Sequence, residues 1–104
     1  MPTLKERKRY LAFEIISDVP VNDPKAVSKV IWEKVLQFMG EFSAAKAGVW
    51  ILAERFKNQR GLIRVNYKYV DMLKASLMLV DNIENHRVIV CSRGVSGTIK
   101  KAEG

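Results

Sequence analysis

The chain is poor in the residues that staple small proteins together or cage metals. Its 104 residues include one cysteine, Cys91, and one histidine, His86. One of each cannot make a disulfide framework or a Cys/His metal site within a chain, and sparse cysteine suits a reducing compartment. No apolar run approaches the ~18 residues that a membrane span needs. The basic N-terminus is not followed by a signal-type apolar region, because the run from Tyr10 is interrupted by Glu14 and ends at Ser17-Asp18. No low-complexity tract, internal repeat or domain boundary is visible. A single cytoplasmic domain that touches no membrane is expected. At this length it buries roughly 65% of its unfolded surface, enough to fold without disulfide or metal.

Catalytic constellations are missing too. Covalent catalysis needs a base beside its nucleophile, yet His86 falls at the mouth of a strand and Cys91 inside an apolar one, where it reads as a small buried hydrophobe. The acids are singletons whose spacing builds neither a carboxylate pair nor a metal cage. An acylphosphate hydrolase would need an anion cradle after the first strand. Ser17-Asp18-Val19-Pro20-Val21-Asn22 has no glycine and carries an acid. No catalytic residue, cofactor or metal is therefore expected.

What the chain does have is a core and a charge. Hydrophobic residues make up 48% of it. Leu11, Phe13 and Ile15 alternate with Tyr10, Ala12 and Glu14, the pattern of a strand with one buried face. Asp23-Pro24 starts a helix running to about Gly40, with Asp23 as cap and Pro24 at the first helical position. Gly48 to Ala53 reads as a buried strand, Lys57 to Gly61 as a turn, and Leu62 to Val65 as the partner strand. Asn66 caps a second helix that ends near Asn82 or Asn85, and Arg87 to Ser92 is the last strand. The order β-α-β-β-α-β predicts a ferredoxin-like, RRM-like α/β fold: a four-stranded antiparallel sheet, both helices on one face, the other face open. The domain spans 1–104, with a basic lead over 1–8 and a glycine- and lysine-containing tail over 94–104. On the first helix Trp32, Leu36 and Met39 extend the apolar arc past what one sheet covers.

Net charge is +7 and the isoelectric point about 9.8, which asks for a polyanion, nucleic acid first. Read over 24–41 and 67–84, the two helices are neutral, so the excess lies in strands, loops and termini, where counterion release by a phosphate polymer would exploit it. Base stacking is not expected. Against the RRM stacking motif, Arg60 to Tyr67 places Leu62 and Arg64 where rings belong, and Glu14 neighbours Tyr10, the remaining ring on the central strands. Glu14 and Arg64 are expected to face each other across strands. In the tail, Gly94 and Gly97 free the backbone for close approach while Ser96, Thr98, Lys100 and Lys101 offer donors and charge.

Lys8-Arg9-Tyr10-Leu11-Ala12-Phe13-Glu14-Ile15, Ile31-Trp32, Gly48-x-Trp50 and above all Arg93-Gly94-Val95-Ser96-Gly97-Thr98-Ile99-Lys100 resemble the archaeal ribonuclease P protein component 2 family. The resemblance spans nearly the whole chain. It implies a protein subunit of the ribonucleoprotein that removes 5′ leaders from precursor tRNA. In that family the RNA supplies the active site, and the protein pairs with component 3 to support the RNA's catalytic domain. The expected partners are therefore ribonuclease P RNA, component 3 and the other protein components, and the apolar arc of Trp32, Leu36 and Met39 becomes a candidate protein interface, with component 3 or with a second copy of the chain. Lys5, Arg7, Lys8, Arg9, Arg60, Arg64, Arg93, Ser96, Thr98, Lys100 and Lys101 become candidate RNA contacts. An assembly module acting mainly through protein contacts is the alternative function.

Overall fold

The structure, a computed structural model, describes residues 7–103. The element order is β1 (Lys8–Ile16), α1 (Pro24–Ala47), β2 (Trp50–Ile51), β3 (Arg60–Asn66), α2 (Val70–Met78), β4 (Asn82–Ile83), β5 (His86–Arg87), β6 (Ile89–Ser96) and α3 (Ile99–Glu103), with single 3₁₀ turns at Ala53–Arg55 and Tyr67–Tyr69. The antiparallel sheet has the order β2-β3-β1-β6, and β4 and β5 form a separate hairpin. This is the expected mixed α/β architecture. Among the described residues no helix is long and apolar enough to cross a membrane.

Period-two alternation puts Leu11, Phe13 and Ile15 of β1 and Ile63 and Val65 of β3 into one layer with Val27, Ile31, Val35 and Met39 of α1 and Leu73 and Leu77 of α2. Burying each such side chain contributes about 1.5–3 kcal/mol. Met39 is only 7% exposed, so it belongs to this core and not to a protein interface.

Asp23 caps α1 as expected, its carboxylate accepting the Lys25 N–H at 3.0 Å. The helix does not stop at Gly40. That residue takes φ 80°, ψ 162°, a kink that a side chain would resist, and the helix resumes because small Ala44 and Ala47 fit against the core. Gly48, in the left-handed conformation, ends it. The longer α1 gains Lys46, and the shorter α2 excludes Asp81 and Glu84, so α1 holds four lysines against two glutamates and the helices are not neutral.

Asn58 and Gln59 both have positive φ between the bridged Lys57 and Arg60, a tight two-residue hairpin turn. Gln59 also exchanges side-chain hydrogen bonds with the Val21 N–H (3.0 Å) and C=O (2.7 Å), fixing the β1–α1 connection. Glu84 and Asn85 repeat the positive-φ pair between β4 and β5, where a helix end was expected. Asn66 caps the 3₁₀ turn ahead of α2. Cys91 is half-buried, not core. The strand expected over Gly48–Ala53 shortens to Trp50–Ile51, with Trp50 59% exposed. Residues 94–96 belong to β6 and Ile99–Glu103 is helical, so over its described residues the expected tail is built into the domain.

Phe13 lies opposite Gly61, and a Cβ on Gly61 would sit 2.6 Å from the Phe13 ring and 3.1 Å from Phe56, which itself stacks on Phe13. Gly61→Ala should lower stability by about 1–3 kcal/mol through overpacking, read from the urea midpoint. Gly94→Ala, where a Cβ meets nothing within 4 Å, should stay within about 0.5 kcal/mol.

Candidate nucleic-acid interface

The side of the sheet turned away from α1 and α2 is built in rows across the strands. Strand register places Trp50, Arg64, Tyr10 and Ser96 in one row, Leu62, Ala12 and Gly94 in the next, and Arg60, Glu14 and Cys91 beyond it. Glu14 therefore faces Arg60, not Arg64, which lies beside Tyr10 four residues away along β1.

Arg93 joins the same cluster through a β-bulge. Ala12 pairs with Gly94 while Phe13 pairs with Ser92, leaving Arg93 as the extra residue. Bulges re-aim side chains, and Arg93 sets Nε and a terminal nitrogen each 2.6 Å from the Glu14 carboxylate. Arg60 Nε lies 3.7 Å from the other carboxylate oxygen. One mostly buried acid thus brackets two arginines whose side chains are 70% and 54% exposed. Such solvated pairs are each worth at most about 1 kcal/mol, so what they mainly supply is position.

The face is not fully open. After Ser96 the chain turns at Gly97, and α3 packs back on β1, β3 and β6. Thr98 caps it, its hydroxyl accepting the Lys101 N–H at 3.2 Å, and Arg55 pairs with Glu103 at 3.1 Å. Leu62 is 2% exposed as a result, although it points away from the main core. Between α3 and the hairpin turn lies an open concavity of about 1120 Å³ lined by Arg55, Lys57, Arg60, Arg93 and Lys101 against Glu14 and Glu103. It is wide and polar, where a small-molecule site is enclosed and mostly apolar, and its charge is positive in excess.

The structure thus brings Arg60, Arg93 and Lys101 together and adds Arg55, at the end of a single 3₁₀ turn, and Lys57, at the start of a hairpin turn, positions that no period-two or helical pattern in the sequence singles out. Lys8 and Arg9 lie at the far end of β1. The Lys8 ammonium reaches Gly48 at the C-terminus of α1, 2.8 Å from where a Cβ would stand, and a terminal nitrogen of Arg9 is 3.9 Å from the corresponding point on Gly97. The Ser96 hydroxyl accepts the Thr98 N–H at 3.4 Å, so both tail hydroxyls shape the turn into α3. Arg7 is exposed, as is Lys100 on α3, and Lys5 lies outside the described residues. Among the described residues no cluster of His, Cys, Asp and Glu could hold a metal ion.

Comparison with known proteins decides the family. The Rpp14/Pop5 family model matches residues 9–104. The chain belongs to the Rpp14/Pop5 family. It is 41% identical to ribonuclease P protein component 2 of Thermococcus gammatolerans over 96% of this chain and 82% of that protein. The component 2 protein of Pyrococcus abyssi is 40% identical over 96% and 84%, and that of Methanocaldococcus jannaschii 37% over 98% and 74%. A chain in the cryo-EM structure of yeast ribonuclease MRP superposes with a TM-score of 0.69 over 93% of this chain and 79% of its own length. At 16% identity that likeness speaks for the fold.

On the helical side this Rpp14/Pop5 domain leaves Trp32 (38%), Phe38 (47%) and Phe42 (74%) of α1 exposed, while Leu36 packs partly against the core. Met78 and Ile89 are exposed together beside Val80 and Val88. On the charged side, Glu14→Gln should raise the salt needed to elute the protein from heparin and cost under about 1 kcal/mol of stability. Elution at the parental salt concentration would remove Glu14 from that surface.

Proposed function

We propose that this protein, a ribonuclease P subunit of the Rpp14/Pop5 family, grips the RNA that removes 5′ leaders from precursor tRNA through phosphate contacts centred on Arg60 and Arg93. The observation that carries this reading is the Glu14-bracketed pair, with Arg55, Lys57 and Lys101 around the same concavity. Two guanidinium groups held by one shared carboxylate stay largely exposed, and a planar fork of donors suits phosphate oxygens. Arg7, Lys8, Arg9, Lys100 and Lys101 extend the contact as further cations, and Lys5 is proposed with them on charge alone. Ser96 and Thr98 act mainly through the backbone turn they shape. Chemistry at the scissile phosphate belongs to the RNA in this reading, and the protein neutralises and positions.

The exposed aromatic residues of α1 support a second contact, with another protein component, for which component 3 is the proposed partner. Trp32 remains in that surface and Phe38 and Phe42 replace the buried Met39. A second copy of the chain competes for the same surface. Binding to component 3 with no RNA affinity at physiological salt would select the assembly-module reading.

Arg60→Ala with Arg93→Ala should flatten the slope of log affinity against log salt by about 1.4–1.8, two phosphate contacts at 0.7–0.9 each. Lys8→Ala with Arg9→Ala should flatten it as well, by less if Lys8 stays committed to the end of α1. An unchanged slope in the first double variant would overturn the assignment. Reconstituted precursor-tRNA cleavage, at magnesium low enough that the RNA alone is nearly inactive, should rise when this chain is added and fall back with the Arg60/Arg93 variant.

A further inference from the structure

The row Trp50, Arg64, Tyr10 and Ser96 is not absorbed by the phosphate reading, and it is organised differently from the cluster around Glu14. Register places one residue from each of the four strands side by side on the same face, neighbours about 4.8 Å apart. Ring, guanidinium, ring and hydroxyl follow one another from edge to edge. Trp50 is 59% exposed, a large apolar ring left in solvent on an edge strand. Arg64 has a buried Nε–H with no acceptor and enters no ion pair among the described residues, since Glu14 is taken by Arg60 and Arg93. Polar groups of that kind normally have partners.

Its surroundings narrow the occupant. In the next row Leu62 is buried where α3 packs on β1, β3 and β6, whereas Trp50 in this one stands in solvent. On the other side lies Lys8, about 7 Å from Tyr10 along the strand, with its ammonium at Gly48, two residues before Trp50. A flat apolar surface interleaved with a guanidinium and edged by a cation suits a nucleotide: the base on a ring, its polar edge toward Arg64 and Ser96, its phosphate toward Lys8. An apolar peptide would leave the Arg64 donors unmet.

We infer that Trp50 and Tyr10 are stacking surfaces for unpaired RNA bases, with Arg64 donating hydrogen bonds between them. The inference rests on the RNA-binding reading and adds base contact to it. It also reverses the expectation that this face stacks no bases. That expectation looked for rings at Leu62 and Arg64 of β3, whereas the rings stand on either side of Arg64.

The test uses the full chain carrying Trp32→Phe, so that Trp50 is the sole tryptophan. Titration with a single-stranded octaribonucleotide should quench its fluorescence, and an abasic ribose-phosphate octamer of equal charge should not. Trp50→Ala, and Tyr10→Ala in turn, should weaken octanucleotide binding about 5- to 100-fold with the salt slope unchanged, while Trp50→Phe and Tyr10→Phe retain most of it. An unchanged urea midpoint for Trp50→Ala confirms that the fold is intact. Equal binding and quenching by the abasic octamer, or Trp50→Ala within twofold of its parent, would overturn base stacking; a retained salt slope would then leave the phosphate contacts standing. Failure of both oligomers to bind at low salt would overturn both.

Discussion

Phe13 rests against Gly61 with no room for a methyl group between them, and that contact sets the spacing of the two central strands' inner faces. Because β1 and β3 are held face to face at this point, the next residue pair, Glu14 and Arg60, is delivered to the outer face in register. The hydrophobic layer and the charged face are therefore one construction read on alternate residues. A shift of β1 by one position would expose Leu11, Phe13 and Ile15 and bury Glu14, an exchange costing many kcal/mol at about 1.5–3 per side chain. The position of the arginines is thus guaranteed by burial on the opposite side more than by their own weak ion pairs.

The outer face divides into two regions by the way its charges are handled. Around Glu14 the cations are grouped, partly compensated and open to solvent. Around Arg64 they are interleaved with rings and end at Lys8, whose ammonium stands beside Gly48 at the negative end of the α1 dipole. The C-terminal helix separates the two by covering Leu62. On the proposed reading, a strand of RNA crossing this face would meet a phosphate-binding part and a base-stacking part in sequence, joined by backbone that belongs to one strand pair.

Much of this was legible in the amino-acid order. The alternation of Leu11, Phe13 and Ile15, the Asp23-Pro24 start and the turn at residues 57–61 each rest on a local rule that tertiary packing had no reason to override. The misjudged helix ends share a cause: glycine and asparagine were read as stops. Gly40 carries a kink within a continuing helix, and Asn82 and Asn85 belong to a small hairpin. Both outcomes depend on what packs next to them, Ala44 and Ala47 in the first case and the buried Ile83 in the second. The candidate site was half visible. Its residue types announced a polyanion, but the Glu14–Arg60 pairing and the row through Trp50 depend on register, which single-strand patterns do not carry.

The unpaired residue in β6 has a further effect. Val90 and Val95 sit opposite Ile15 and Leu11, both inward-pointing residues of β1, although five positions separate the two valines and a regular strand repeats every two. The extra residue resets the phase halfway along the strand. Without it the second half of β6 would be turned over, Ser96 would leave the row of Tyr10, and the chain would enter its final helix from the wrong side of the sheet. One surplus amino acid thus works as a phase shifter that decides which surface the end of the protein can reach.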